Sequence, residues 1–318
     1  MSLIEQAARR LEELRRSGIE VPGAVPQTPA PRETSIGVPG SPAAWVPEVK
    51  AEPERAGPGV VRGIASRTPT IGRRSRQVEI DLARLASQGY LTPDSPRARI
   101  ADEFRIMKRP LVSNIQAAAQ GTAASRNALI MVTSALPGEG KTFVSINLAI
   151  SLASELDSTV MLVDADVARP SVLQRLGLPS APGLLDLLTD SSLGMSDVLL
   201  RTNIEKLTLL PAGRPQSRAT ELLASDAMNR LLDELARRYP DRILVFDAPP
   251  LLPSTESRVL ATQMGQVVFV VEAERTPQKT VEQAMATIAS CPLVLPLLNK
   301  ITRSEVGSYY GYYGAAEA

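Results

Sequence analysis

From residue 128 to residue 298 the chain alternates continuous apolar runs with longer amphipathic stretches. The runs at 128–132, Thr159–Asp164, Leu207–Leu210, Arg242–Asp247, 266–271 and 293–298 are strand-length and apolar at consecutive positions. The stretches at 143–150, 227–238 and 277–289 repeat their apolar residues at helical spacing. Strands apolar on both faces, spaced by helices, predict an α/β fold with a mostly parallel sheet covered on both sides. Upstream, Ile80, Leu82, Leu85 and Ala86 predict a helix that stops at Gly89. A second helix over 97–108 carries Ile100, Phe104 and Met107 on one stripe. Pro110 then ends or kinks it, and 115–123 is helix-like again.

The first 75 residues read differently. Ser2 and Glu5 have capping-box spacing, Gly18 is a stop, and Leu3, Ile4, Ala7, Ala8, Leu11 and Leu14 share one face, so 1–18 reads as a short amphipathic helix. Residues 19–75 are rich in Pro, Gly, Ala and Ser, a composition that buries too little apolar surface to offset ordering entropy, and they read as a disordered linker. The ordered domain spans 76–304, with helices at its start (about 76–123), and 305–318 reads as a flexible tyrosine-rich tail.

Composition then narrows the chemistry. The net charge of +1 gives no global reason to expect nucleic acid. One cysteine, Cys291, builds no disulfide framework and fits a reducing compartment. With no histidine in 318 residues, proton transfer falls to carboxylates, Lys or Tyr, zinc is not expected, and any metal is a hard cation held by oxygens. The longest apolar runs fall far short of the roughly 20 residues of a spanning helix, and the N-terminus lacks a signal peptide's apolar stretch, so a cytoplasmic location is expected.

Three strand ends carry the candidate chemistry. After the first core strand comes Ala135-Leu-Pro-Gly-Glu-Gly-Lys-Thr142, followed by a helix. This meets the phosphate-loop pattern Gly-x-x-x-x-Gly-Lys-Ser/Thr except that Ala135 replaces the first Gly. Such a loop turns backbone N–H groups and a helix N-terminus toward phosphate; Lys141 adds full charge and Thr142 places a hydroxyl on Mg²⁺. The second end is Val163-Asp164-Ala165-Asp166-Val167-Ala168-Arg169-Pro170, and the third Phe246-Asp247-Ala248-Pro249-Pro250. Singly, an Asp at a strand end is often a cap or turn former. Together with the loop, Lys141, Asp164, Asp166 and Asp247 supply the counter-charge, oxygen ligands and nucleophile-orienting group that MgATP chemistry needs. The class is a P-loop nucleotide hydrolase or phosphotransferase.

At these residues the chain resembles the bacterial tyrosine kinases (BY-kinases) that serve exopolysaccharide and capsule export. The carriers are Pro137-Gly-Glu-Gly-Lys-Thr142, Val163-Asp-Ala-Asp-Val-Ala-Arg-Pro170 and Leu244-Val-Phe-Asp-Ala-Pro-Pro250. The first helix and Glu103-Phe-Arg-Ile-Met-Lys-Arg-Pro110 look like the cytosolic subfamily encoded beside exosortase-type loci. The resemblance implies a MinD-like P-loop NTPase (SIMIBI) fold, ATP and Mg²⁺ as cofactors, and protein-tyrosine autokinase activity. It places Lys141 on the β/γ-phosphates, Asp164 as base on the incoming phenol, and Thr142, Asp166 and Asp247 around Mg²⁺. Pro137, Gly138, Glu139, Gly140, Phe143 and Asn299 complete the nucleotide contacts. The tail Ser308-Tyr-Tyr-Gly-Tyr-Tyr-Gly314 holds four of the six tyrosines. By resemblance Tyr309, Tyr310, Tyr312 and Tyr313 are phospho-acceptors that enter a neighbouring subunit's site. The family's oligomerisation pattern Glu-x-x-Arg-x-x-Arg appears here as Asp102, Arg105 and Lys108. A transmembrane activator of the chain-length-determinant type is the implied partner, holding the protein at the inner membrane. The alternative is a MinD/ParA-type ATPase switch without a protein acceptor; Leu136 stands where such switches carry a signature lysine.

Overall fold

A computed structural model of the chain describes residues 75–94, 99–119, 126–238 and 241–301. The predicted N-terminal helix and linker, and the four tail tyrosines, lie outside the described residues. The elements run β1 (Arg76–Gln77), α1 (Leu82–Ser87), α2 (Arg99–Ala119), β2 (Leu129–Ser134), α3 (Lys141–Ala153), β3 (Thr159–Asp164), α4 (Val172–Arg175), α5 (Leu184–Thr189) and α6 (Met195–Val198). They continue with β4 (Leu200–Arg201), β5 (Leu207–Leu210), α7 (Ala219–Leu223), α8 (Asp226–Arg238), β6 (Arg242–Asp247), α9 (Thr255–Ala261), β7 (Gln266–Glu272), α10 (Gln278–Ala286) and β8 (Val294–Asn299).

The strands form one sheet in the order β1-β4-β5-β3-β6-β2-β7-β8. All pairings are parallel except β4 with β5. β2, β3, β6 and β7 are buried along almost their whole length, which is why their sequences are continuous apolar runs and not alternations. Successive residues feed opposite faces. Leu129, Met131, Met161, Val163, Phe246 and Phe269 pack with α5, α8 and α9 on one side. Ile130, Val132, Leu162, Val245 and Val268 pack with α2 and α3 on the other. Each such fully buried side chain contributes roughly 1.5–3 kcal/mol.

The six parallel strands β5, β3, β6, β2, β7 and β8 end on the same edge of the sheet. The chain leaves β2 for β3 on one flank and later crosses to β7 on the other, so the loop after β2 lies where the winding reverses. That is where an open α/β sheet forms its ligand crevice. β8 closes the sheet with Pro296 inside it; a residue without N–H is tolerated on an edge strand.

Two differences from the sequence reading have physical causes. Of the two outcomes expected at Pro110, an end or a kink, the helix does not end there: α2 runs through it as one helix. Pro110 is exposed, as is Ile106, whose carbonyl loses its intrahelical donor, and water can serve that carbonyl. Meanwhile Phe104, Lys108 and Leu111 are buried and hold both halves on the domain. β1 and β4, of two residues each, were not legible as strands; β4 adds antiparallel to β5, and β1 pairs parallel with β4. They are held by side chains from afar. Asn203 accepts from Ile80 N (2.8 Å) and donates to Ile80 O (3.0 Å), and Asn147 accepts from Leu91 N (2.7 Å).

α5 is fixed by Asp186, which is almost fully buried. Its carboxylate accepts from Gly183 N (2.9 Å), Arg214 N (3.1 Å) and Arg214 Nε (2.6 Å). Burial alone would push this carboxyl up, but the bonds from Gly183 and Arg214 outweigh it and hold it below the ordinary range. A depressed pKa means stability that is present above the unfolded value and lost as pH falls through the folded one. Asp186→Asn should therefore cost about 1–3 kcal/mol near neutral pH. In urea unfolding, the gap to wild type should close as the solution is acidified below the ordinary carboxyl range; a gap independent of pH would show that the charge is not what holds this turn.

Candidate active site

The loop from Ala135 to Gly140 is shaped by two glycines. Gly138 and Gly140 have φ of +90° and +99°, a region that L side chains rarely adopt. A Cβ on Gly140 would also meet Asn299 Nδ2 at 2.0 Å. Ala135, at the first position of the pattern, has a negative φ and is fully buried, so a methyl group is accommodated there. Gly140 caps α3, whose N-terminal N–H groups open into the crevice.

Lys141 Nζ reaches Asp166 Oδ2 at 2.7 Å, and both side chains are largely buried. The other Asp166 oxygen accepts from Arg169 N at 3.1 Å. Thr142, also buried, shares a hydroxyl–hydroxyl bond of 3.1 Å with Ser171. Asp164 and Asp247 face each other in register at the ends of the paired strands β3 and β6. Asp164 Oδ2 accepts from Ser171 N and Val172 N, each at 3.0 Å. Asp247 Oδ1 accepts from the Ser145 hydroxyl at 2.9 Å. The second oxygens, Asp164 Oδ1 and Asp247 Oδ2, are buried with no hydrogen-bond partner.

These two carboxylates are strongly perturbed. Burial first, then the charge of Asp247, pushes Asp164 up to about 7. Burial pushes Asp247 up to about 6 against the pull of Lys141. Three buried carboxylates share one lysine, and two oxygens face the interior unpaired. This donor set fits a small divalent cation brought in with nucleotide phosphates. Mg²⁺ is commonly bound through one or two carboxylates plus substrate phosphates and water.

The structure thus brings Lys141, Thr142, Asp164, Asp166 and Asp247 together. A cavity of about 430 Å³ lies over the loop, lined by Pro137, Gly138, Lys141, Asp166, Arg169 and Pro250 among others. A larger one, about 850 Å³, opens beside Asp164 and is walled by Pro170, Leu173, Leu178, Pro211 and Arg214. Asn299, at the end of β8, donates its amide to Glu139 O at 2.8 Å. The ring of Phe143 lies against Tyr90, centroids 5.0 Å apart. On α2, Asp102 and Arg105 form an exposed ion pair. Lys108 turns inward instead, donating to Ser151 O at 2.6 Å and pairing with Glu155 at 2.5 Å near the C-terminus of α3. Sequence reasoning did not single out Ser145 or Ser171. Ser145 stands one helical turn after Lys141 and so follows from α3 itself; Ser171 depends on how the segment after β3 folds back.

A family described as an AAA domain matches residues 127–295. The tyrosine-protein kinase YwqD of Bacillus subtilis (strain 168) is 31% identical over 190 residues, which cover 59% of this chain and 78% of that protein. The succinoglycan biosynthesis transport protein ExoP of Rhizobium meliloti (strain 1021) is also 31% identical, over 70% of this chain but only 28% of its own length. Among solved structures, the chimerical protein CapA2B2 superimposes with a TM-score of 0.54 at 25% identity, covering 70% of this chain and 93% of that one.

The carboxyl pair makes a measurable prediction. A pKa raised above its unfolded value contributes stability fully present below the unfolded value and lost as pH rises through the folded one. In metal-free protein, stability should fall from about pH 4, the unfolded carboxyl value, to about pH 7. The slope should reach up to roughly 1.4 kcal/mol per pH for each proton that the folded protein alone retains. Asp164→Asn should flatten that fall and exceed wild type at the alkaline end. Chemical denaturation in the presence of chelator checks this; an unchanged slope in the variant would disprove it.

Proposed function

The chain belongs to the bacterial tyrosine-protein kinases, through an AAA domain at residues 127–295, and we propose that it transfers the γ-phosphate of ATP to tyrosines in its own tail. The observation that carries this reading is the pair of unpartnered buried oxygens on Asp164 and Asp247, beside the hydroxyl of Thr142 and the ammonium of Lys141. Mg²⁺ bound with the nucleotide supplies neutralisation of phosphate charge, and Thr142, Asp247 and Asp166 would hold it.

Each protein group then has a definable task. The N–H groups from Gly138 to Thr142 bind phosphate oxygens at the N-terminus of α3. Lys141 exchanges Asp166 for the terminal phosphates, which stabilises charge on the transferring group. Asp164 receives the phenolic proton; a carboxyl pushed to about 7 by burial and Asp247 is matched to that task near neutral pH. The cavity beside Asp164, walled in part by Pro170, Leu173, Leu178 and Pro211, gives the acceptor its approach to that carboxylate. In a chain without histidine, Asp164 is the buried carboxylate nearest to that cavity that is free of an ion pair among the described residues.

Tyr309, Tyr310, Tyr312 and Tyr313 are the acceptors in this reading, delivered to a neighbouring copy. Assembly would use α2 through Asp102 and Arg105, and Lys108 would act through its hold on α3. No helix among the described residues is long and apolar enough to cross a membrane. In this reading a transmembrane activator of the chain-length-determinant type holds the protein at the inner membrane. ExoP is named for succinoglycan biosynthesis, in keeping with a role in exopolysaccharide production or export.

Two forms of the protein test transfer between copies. One carries Lys141→Ala with an intact tail; the other is wild type at the site but truncated before Ser308. Mixed with MgATP, with and without activator, the pair should yield phosphotyrosine on the tail of the first. Lys141→Ala alone should give less than about one hundredth of the wild-type signal. Phosphate only on Ser or Thr, or none in wild type with activator present, would remove tyrosine transfer, whereas a signal in wild type but not in the mixture would remove the transfer between copies.

A further inference from the structure

We propose that Glu139 is the positioning residue of the phosphate loop, acting by fastening the loop to the ends of β7 and β8. A carboxylate in a phosphate-binding loop is electrostatically adverse to the ligand, so one that is 2% exposed needs another reason to be there. Its bonds give one. Oε2 accepts from Leu136 N at 2.6 Å, closing the loop on itself three residues back. Oε1 accepts from the Thr276 hydroxyl, and Glu272 N points to the same oxygen at 3.5 Å. The carboxylate is thus spent on Leu136 of the loop and on Thr276 and Glu272 at the end of β7, while Lys141 bonds Asp166.

The backbone of the same segment is held as well. Glu139 O accepts from Asn299 Nδ2 at 2.8 Å, and Gly138 O accepts from Lys300 Nζ at 2.7 Å. Lys300 in turn pairs with Glu272 Oε2 at 3.2 Å. The loop carbonyls therefore face a bracket built from Glu272, Thr276, Asn299 and Lys300. Peptide groups whose carbonyls are pulled to one side turn their N–H groups to the other, toward the crevice. Donors set in place before the ligand arrives cost little reorganisation when it binds. Asn299 acts here through the loop, in addition to any contact with a base.

This inference rests on reading the loop as a nucleotide cradle, and the experiment separates the two. MgADP affinity is measured by calorimetric titration, with KM and kcat for ATP beside it, for wild type, Glu139→Ala, Glu139→Gln and Thr276→Val. Glu139→Ala should weaken MgADP by about tenfold to a hundredfold, and the loss should fall on KM more than on kcat. Glu139→Gln should recover most of it, since its amide oxygen can accept from Leu136 N and its NH₂ can donate to Thr276. Thr276→Val should lose several-fold, and its effect should not add to that of Glu139→Ala. Melting by circular dichroism verifies the fold; where the alanine variant does not fold, Glu139→Gln and Thr276→Val decide. Wild-type affinity in Thr276→Val or Glu139→Ala overturns the proposal, as does a glutamine variant no better than alanine. Failure of wild type to bind MgADP would instead overturn the nucleotide reading.

Discussion

Two carboxylates at the ends of adjacent parallel strands set the terms for the rest of this fold. Asp164 and Asp247 stand opposite one another because β3 and β6 pair in register over six residues. Both are buried, both are pushed toward neutrality, and each leaves one oxygen without a partner. A sheet selected for stability alone would not end two central strands this way. Like charges at close range in a dry site oppose ionisation of both groups. The arrangement persists because the surrounding sheet is apolar and long enough to absorb the cost.

The neighbouring groups are arranged around that constraint. Among the described residues Lys141 is the only cation bonded within the carboxylate group, and it bonds Asp166, the carboxylate outside the register pair. The Asp164–Asp247 pair is therefore only partly neutralised by protein. Ser145, Ser171 and Val172 bind the outer oxygens and so aim the inner ones. Three donors aligned on two acidic groups, with the remaining lone pairs directed inward, describe a site shaped for a cation that comes with its ligand.

Much of this was legible in the chain because the signals are local. The runs Thr159–Asp164, Leu207–Leu210 and Arg242–Asp247 are strands with the bounds their apolar stretches suggest, since burial on both faces removes any ambiguity of period. Lys141, Thr142, Asp164, Asp166 and Asp247 could be named because each ends or follows such a run. What was not legible depends on partners far apart. β4 has two residues and no pattern of its own. Pro110 is a helix breaker by propensity, yet packing of Phe104, Lys108 and Leu111 carries α2 through it. By resemblance Lys108 belongs to the oligomerisation pattern, but it turns inward to Ser151 and Glu155, over 40 residues away. Thr276 and Lys300 meet the phosphate loop from more than 130 residues downstream, and no periodicity announces such contacts.

The two flanks of the loop consequently do opposite things. Toward β3 and β6 the polar groups are under-satisfied, and a ligand is needed to complete them. Toward β7 and β8 the contacts are closed within the chain: Glu139, Glu272, Thr276, Asn299 and Lys300 bond one another and the loop backbone. A site unsatisfied on both flanks would relax by moving the loop, trading ligand affinity for internal bonds. A loop satisfied on both would have nothing left for phosphate. With one flank fixed, the unsatisfied carboxylates of the other are relieved by protonation or by a bound ligand, and in the proposed reading that is how a buried cluster of like charges serves affinity for a nucleotide and its cation.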